Sequence, residues 1–319
     1  MNIVNSIKIV SYGIVLLILS IIPFVAGPYG VELLTGLMGY IILATAWAMF
    51  SGPTGYISLA TVAFFGIGAY TVAVLSEVLP YPLVLLAAAG TGLVVSLVVG
   101  LATLRLAGVY FVIFTFGLAE LIRQLVTWYE VNITGTLGRY VFLPLEPVHI
   151  YWQLLFLAVV TLVTAAYVSK SRSGFALRII GDDETVAQHC GINLARTKLF
   201  LFAISATIIT LVGAIQAPRW VYIEPAIVFN PTLSFMTLIM ALLGGSRQLW
   251  GPLIGAVTLF MLFEWLSTHF PNHYSIILGF LFITIVFFVP NGVLEFIKKI
   301  LVRRLKKSSK TIPSKRETA

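Results

Sequence analysis

The sequence predicts an all-α integral membrane protein: a polytopic helical bundle of about ten transmembrane spans (eight to ten), N-in/C-in, with one sizeable cytoplasmic loop. Three observations carry this. The 319 residues are 59% hydrophobic and 10% charged, with a mean hydropathy of +1.02, whereas soluble chains hold about 25% charged residues. A soluble enzyme of one or two domains is therefore excluded. Apolar runs approaching the roughly 20 residues needed to cross a bilayer recur from end to end. Finally, the net charge of +8 is confined to the last segment. From Lys298 onward, nine basic residues face one acid, Glu317, and everything before is balanced at eleven of each sign.

Taken in order, the apolar runs are 9–26, 31–50, 57–79, 82–104, 108–128, 151–168, 199–217, 232–244, 251–268 and 274–291. The first follows a single lysine, Lys8, a weak imitation of a secretory leader, and reads as an uncleaved span. The third opens with Ser51-Gly-Pro-Thr-Gly-Tyr-Ile-Ser58, too rich in glycine and polar residues for an ordinary helix start. In the fourth, Gly92, Ser96 and Gly100 form one small-residue face. The ninth opens on a GxxxG from Gly251 to Gly255. Both patterns read first as packing inside one bundle and second as subunit association. The eighth is short and opens with Asn230-Pro-Thr-Leu-Ser234, where proline suits a first helical turn.

Basic residues in short loops mark the cytoplasmic side. Ten spans with the N-terminus inside put Lys8, Arg105, the 170–198 segment, Arg247 and the tail on that side. Glu32, Glu77, Glu130, Glu146 and Glu224 then lie outside, with Arg139 and Arg219. The chain divides into a transmembrane domain, residues 1–297, and a basic cytoplasmic tail, 298–319. That tail lies against anionic headgroups, worth about 1 kcal/mol per basic residue near the surface, so membrane lipid and not nucleic acid is its partner.

The one sizeable cytoplasmic insertion, residues 170–198, contains the clustered charges outside the tail. Asp182 reads as an N-cap, Asp183 and Glu184 fall in a first turn favoured by the helix dipole, and Gly191 reads as a C-terminal stop. A helix over Asp183–Cys190 is expected, preceded by a shorter piece over Phe175–Ile180. Lys170, Arg172 and Arg178 are separated by sign from Asp182, Asp183 and Glu184. A lipid-lying connector carries basic residues along its polar face, so this pattern favours docking to a soluble partner.

At this point a family resemblance enters. The loop resembles the ATPase-contacting loop of ABC importer permeases, in the branched-chain amino acid permease family, and in particular its M-type membrane subunit. Gly55-Tyr-Ile-Ser-Leu-Ala-Thr-Val-Ala-Phe-Phe-Gly-Ile-Gly-Ala-Tyr70, Leu106 to Arg123, and Leu242-Leu-Gly-Gly-Ser-Arg-Gln-Leu-Trp-Gly-Pro-Leu-Ile-Gly255 are similar to successive blocks of that family. The resemblance covers roughly residues 30–290. Departures at Ala60, Thr61 and Ser246-Arg-Gln bear on substrate identity more than on fold. The resemblance implies an H-type permease partner, two cytoplasmic ABC ATPase subunits, an extracytoplasmic solute-binding protein and a multi-pass site in the plasma membrane. It also implies alternating access, with ATPase motion passing through residues 172–191. Arg172, Gly174, Arg178, Asp182, Asp183, Glu184 and Gly191 are then the ATPase-coupling candidates.

Interrupted helices near the midplane are common transporter sites, so spans three and eight supply pathway candidates. These are Ser58, Thr61, Phe64, Phe65, Thr232 and Ser234, with an amino-acid carboxylate expected near the helix N-terminus at Ser58 or Thr61. Glu120 and Arg123, at i and i+3, form either a structural pair or part of the pathway. Glu264 requires a partner helix or a polar cavity. No GxxxxGK[ST] occurs, so the chain has no phosphate cradle; no cofactor or metal is expected here, and ATP with Mg belongs to partner ATPases. His269 and His273 flank Pro271 without an HExxH, which argues against a membrane metallohydrolase. The lone Cys190 allows no intrachain disulfide. The expected function is an ABC importer permease subunit for branched-chain amino acids or related small amphipathic solutes. Urea or short amides are the rival within the family, and an ion-coupled secondary carrier using Glu120 and Glu264 is the rival outside it.

Overall fold

The computed structural model describes residues 16–283 apart from 105, 107, 274, 275, 278, 281 and 282. Its helices are α1 (Leu16–Val25), α2 (Gly27–Thr54), α3 (Thr61–Leu75), α4 (Tyr81–Thr103), α5 (Val109–Tyr129), α6 (Pro147–Lys170), α7 (Arg172–Asp182) and α8 (Glu184–His189). They continue with α9 (Leu194–Gln216), α10 (Pro225–Val228), α11 (Thr232–Gly244) and α12 (Gly251–His269). The chain is an all-α polytopic membrane protein. Among the described residues, seven helical stretches are long and apolar enough to cross a membrane, while α1 and α3 are shorter apolar helices. The expected span 274–291 and the basic tail 298–319 lie largely or wholly outside the described residues, as does the start of the first span.

The third span departs most from expectation. Instead of one helix over 57–79, residues 55–60 are non-helical and α3 holds 15 residues. At 1.5 Å per residue α3 rises about 22 Å, short of the ~30 Å hydrocarbon core. Gly55, at φ 71°, makes the left-handed turn that ends α2. Pro53 sits two residues earlier inside α2, and the two together stop the helix.

The bundle is organised around α9, which packs against α2, α3, α4 and α6. Small residues allow this. A Cβ on Gly68 of α3 would stand 1.9 Å from the Thr210 carbonyl oxygen, and one on Gly213 of α9 2.0 Å from that of Phe65. The small face of α4 seats on the same helix: a Cβ on Gly92 would meet Thr210 Oγ1 at 2.5 Å, and one on Gly100 would meet Leu199. The Gly251–Gly255 motif closes α12 onto α11, where a Cβ on Gly255 would stand 1.9 Å from the Met240 carbonyl oxygen. Both small-residue patterns thus pack within one chain. In lipid, close backbone approach replaces the missing hydrophobic drive between helices.

One element was not expected. Arg139–Tyr140 and Tyr222–Ile223 pair as a short antiparallel ribbon. Beside it, α5 runs on into a π-turn over Glu130–Thr134. The buried Glu130 carboxylate accepts from the Gly138 amide at 2.8 Å and from Tyr70 Oη at 3.2 Å, with Arg139 Nε 3.4 Å away. A residue assigned to an outer loop is therefore a buried clasp between α3, α5 and the ribbon.

Candidate functional site

The break at residues 55–60 leaves backbone groups without helical partners, and such groups must be satisfied by protein at membrane depth. Side chains from three helices do this. Trp47 Nε1 donates to the Ser58 carbonyl at 2.7 Å, and Thr115 Oγ1 accepts from the Leu59 amide at 3.1 Å. Ser234 Oγ of α11 donates to the Leu59 carbonyl and accepts from the Val62 amide, each at 2.9 Å. The two interrupted segments singled out in the sequence therefore meet through Ser234. Replacing Ser234→Ala strands a buried donor and a buried acceptor, at about 1–3 kcal/mol. We expect a lower melting temperature in detergent, and an unchanged one would remove this role.

The same break contacts the 170–198 loop. Glu184 Oε1 accepts from Tyr56 Oη and from Lys198 Nζ, both at 2.5 Å, and Lys198 Nζ also lies 3.0 Å from Tyr56 Oη. Lys198, at the start of α9, is only 3% exposed. Burial of Glu184 favours its protonated form, but the bonds from Lys198 and Tyr56 outweigh that and hold the carboxyl below the usual range. Backbone contact adds to this link, since a Cβ on Gly181 would stand 2.0 Å from the Pro53 carbonyl oxygen. The loop, the end of α2, the break and α9 thus share one junction.

At the far end of α2 lies a cavity of about 310 Å³, walled by α2, α3, α9, α11 and α12. Glu32 and Arg219 form an ion pair at its rim, with Arg219 Nε 3.1 Å from Glu32 Oε1. Tyr29 Oη donates to Glu264 Oε1 at 2.8 Å. The buried Gln216 amide lines the wall, and Phe65 and Trp220 supply apolar surface. Sequence reasoning placed Glu264 beside a partner or a polar cavity, and it has both. Glu32, Gln216 and Arg219 were missed as site residues because Glu32 lies on α2 and the other two at the end of α9 and the turn after it, segments that only the fold brings together. A volume of this size sits at the lower end of small-molecule sites.

A polytopic bundle with a charged loop packed against a broken span, and a polar cavity at the opposite end, has the parts of a transport subunit. Residues 30–286 match the family model described as branched-chain amino acid transport system / permease component. The chain belongs to that family. It is 26% identical to the high-affinity branched-chain amino acid transport system permease protein LivM of Escherichia coli K12, covering 91% of this chain and 76% of that protein. LivM of Salmonella typhimurium LT2 is also 26% identical, covering 85% of this chain and 71% of the relative. No solved structure matches. The chain is therefore an ABC importer permease subunit, a transport subunit rather than an enzyme.

The loop residues of the permease sit as follows. The N-cap is Asp183, one residue later than expected: its carboxylate accepts from the Thr185 and Val186 amides at 2.7 and 3.1 Å. Those bonds hold Asp183 below the usual carboxylate range. Asp182 instead closes α7 and faces Arg247 at 3.8 Å. Ser171 caps α7 and lengthens it to Arg172–Asp182 beyond the expected 175–180. Gly191 takes the left-handed φ of 75° expected of a stop. Gly174 abuts the Val168 carbonyl oxygen, where a Cβ would stand 2.0 Å away, and Arg178 donates to the Ser169 carbonyl at 2.7 Å. Arg172 and Asp183 are exposed.

The pathway candidates of the permease divide. Ser58, Thr61 and Phe64 line a void of about 10 Å³, room for at most one water. The amides of Val62, Ala63 and Phe64 are already bonded, so this conformation offers a carboxylate none of them. Phe65 lies on the cavity at the far end of α2. Thr232 is exposed, its amide bonded to Asn230 Oδ1 at 3.0 Å. Glu120 pairs with Arg123, whose Nε lies 2.9 Å from Oε2, and accepts from Gln124 at 2.9 Å, on a half-exposed face of α5 away from both cavities.

Proposed function

We propose that this permease subunit imports branched-chain amino acids or closely related small amphipathic solutes across the plasma membrane. It does so beside an H-type permease, two cytoplasmic ATPases and an extracytoplasmic solute-binding protein. The observation that carries the coupling is the Tyr56–Glu184–Lys198 cluster, because it ties an exposed charged loop to the broken third span. Phe175 and Val186 stand exposed on the loop beside Arg172 and Asp183, a mixed apolar and charged surface suited to an ATPase groove. In this reading the loop and both termini are cytoplasmic, ten spans cross the membrane, and ATP-driven closure pulls α7 and α8. The pull is felt at residues 55–60, where Ser58 and Thr61 line the inward stretch that opens next. ATP and Mg act on the ATPases and not on this chain. The half-exposed Glu120–Arg123 pair on α5 is costly to leave in lipid, and the second permease subunit covers it.

The carrier alternative gains no support from the two carboxylates that motivated it, since Glu120 and Glu264 are both hydrogen-bonded within the bundle. The test is uptake by the complete complex reconstituted with its ATPases and binding protein. ATP-dependent accumulation of leucine, isoleucine or valine is expected. Uptake of urea in place of these, or uptake that follows an ion gradient without ATP, would overturn the proposal.

A further inference from the structure

We infer that the cavity between α2, α9 and α12 is a solute station for the zwitterion of an apolar α-amino acid. The inference rests on the proposed transport function and adds to it a place and a mode of binding. Its chemistry starts from the charges. Glu32 and Glu264 face one cation, Arg219, so the cavity carries one uncompensated negative charge at full ionisation. A ligand ammonium supplies the missing positive charge. The Arg219 guanidinium spends its Nε and one terminal nitrogen on Glu32, leaving the other terminal nitrogen for a carboxylate.

Gln216 is the second, independent sign. It is 8% exposed, lines the cavity, and makes no side-chain hydrogen bond among the described residues. The residue is buried, yet its amide reaches the open space of the cavity, where a ligand can meet it. Gly39 is what admits it: a Cβ there would stand 2.0 Å from Gln216 Nε2. The amide is thus held against the α2 backbone at the cavity wall, with donor and acceptor unspent. A zwitterion uses both kinds of group, the carboxylate taking the N–H and the ammonium the oxygen.

The apolar half is equally specific. Phe65, in edge contact with Trp220 at 6.1 Å between centroids, closes the inner end. Tyr40 and Phe260, 5.8 Å apart, form a side wall. A branched aliphatic side chain fits this aromatic floor while its charged end stays near the rim. Beyond Phe65 lies the water-sized void at Ser58 and Thr61. Glu32 lies about 30 Å along α2 from Pro53, at 1.5 Å per residue, so the station and the coupling junction occupy opposite ends of one helix.

The test uses the assembled complex in lipid nanodiscs, with Leu33→Cys placed on the cavity wall and Cys190→Ser removing the native thiol. Millimolar L-leucine is expected to slow labelling of residue 33 by a small thiosulfonate reagent severalfold. Leucinamide, lacking the carboxylate, and 4-methylpentanoate, lacking the ammonium, should protect far less. Gln216→Leu, close in volume, should abolish the leucine protection and raise the KM for uptake about tenfold or more, as expected on losing a buried bond to a charged group. If Leu33→Cys does not assemble, Gln216→Leu kinetics in the native background decide alone. Leucine uptake with no protection and an unchanged KM in Gln216→Leu would overturn the station while leaving the transport reading intact. Equal protection by all three compounds would overturn the zwitterion mode. Absence of leucine uptake by the unmodified complex would remove the transport reading itself.

Discussion

Glu184→Lys is expected to abolish ATP-driven uptake, and the exchange Glu184→Lys with Lys198→Glu to restore a measurable part of it. The single change sets two ammonium groups against one tyrosine hydroxyl at a junction where Lys198 is 3% exposed. Breaking a buried pair by losing one partner costs about 3–5 kcal/mol. Here the Glu184 side chain is 38% exposed, so water repays part of that and the cost falls to on the order of 2 kcal/mol. That still shifts a two-state equilibrium roughly thirtyfold. The exchange keeps opposite charges in contact, yet it buries the carboxylate and exposes the ammonium, so recovery is incomplete. Uptake and ATPase co-purification are the measurements. Undiminished uptake in Glu184→Lys would show that the junction transmits nothing. An exchange no better than the single change, in a complex that still assembles, would show that the pairing is incidental.

Gly213→Val is expected to lower the amount of folded protein in the membrane severalfold, with a lower melting temperature in what remains. Its Cβ would stand 2.0 Å from the Phe65 carbonyl oxygen, and no flexible side chain is present to yield. Helices α3 and α9 must part by about 1 Å or more. Overpacking of this kind costs about 1–3 kcal/mol. Gly68→Val strikes the same interface from the other side, 1.9 Å from the Thr210 carbonyl oxygen, so the double variant should lose less than the sum of the two. Gly90→Ala provides the control, because a Cβ there meets nothing within 4 Å, and its melting temperature should hold or rise. Thermal melting in detergent reports all four. A Gly213→Val protein as stable as Gly90→Ala would mean that the α3–α9 approach does not support the bundle.

Most of the bundle was legible because apolar length and turn chemistry act locally. The runs at 82–104, 108–128 and 251–268 fall within a residue of α4, α5 and α12 at each end. The 232–244 run coincides with α11. Gly55 and Pro53 announced a disturbance in the third span, although not that α3 would shrink to 15 residues. The Asp182 cap slipped to Asp183 because both are good caps and the choice depended on where α7 stopped.

The functional parts divide along the same line. Composition determined that the chain lives in a membrane, since 10% charge cannot solvate a soluble surface of this size. Local motifs determined the family and the two short helices of the charged 170–198 loop. The tertiary structure alone decided which of those residues act together. Glu184 and Tyr56 are 128 positions apart, and Tyr29 and Glu264 235 apart. Neither pairing has a sequence period, because it arises from helices crossing where glycines let their backbones touch. The same packing opened the cavity at the other end of α2 and left only a water-sized void at Ser58 and Thr61. There the broken backbone had consumed its hydrogen bonds, whereas Gly39, Gln216 and Arg219 left room and unspent polar groups.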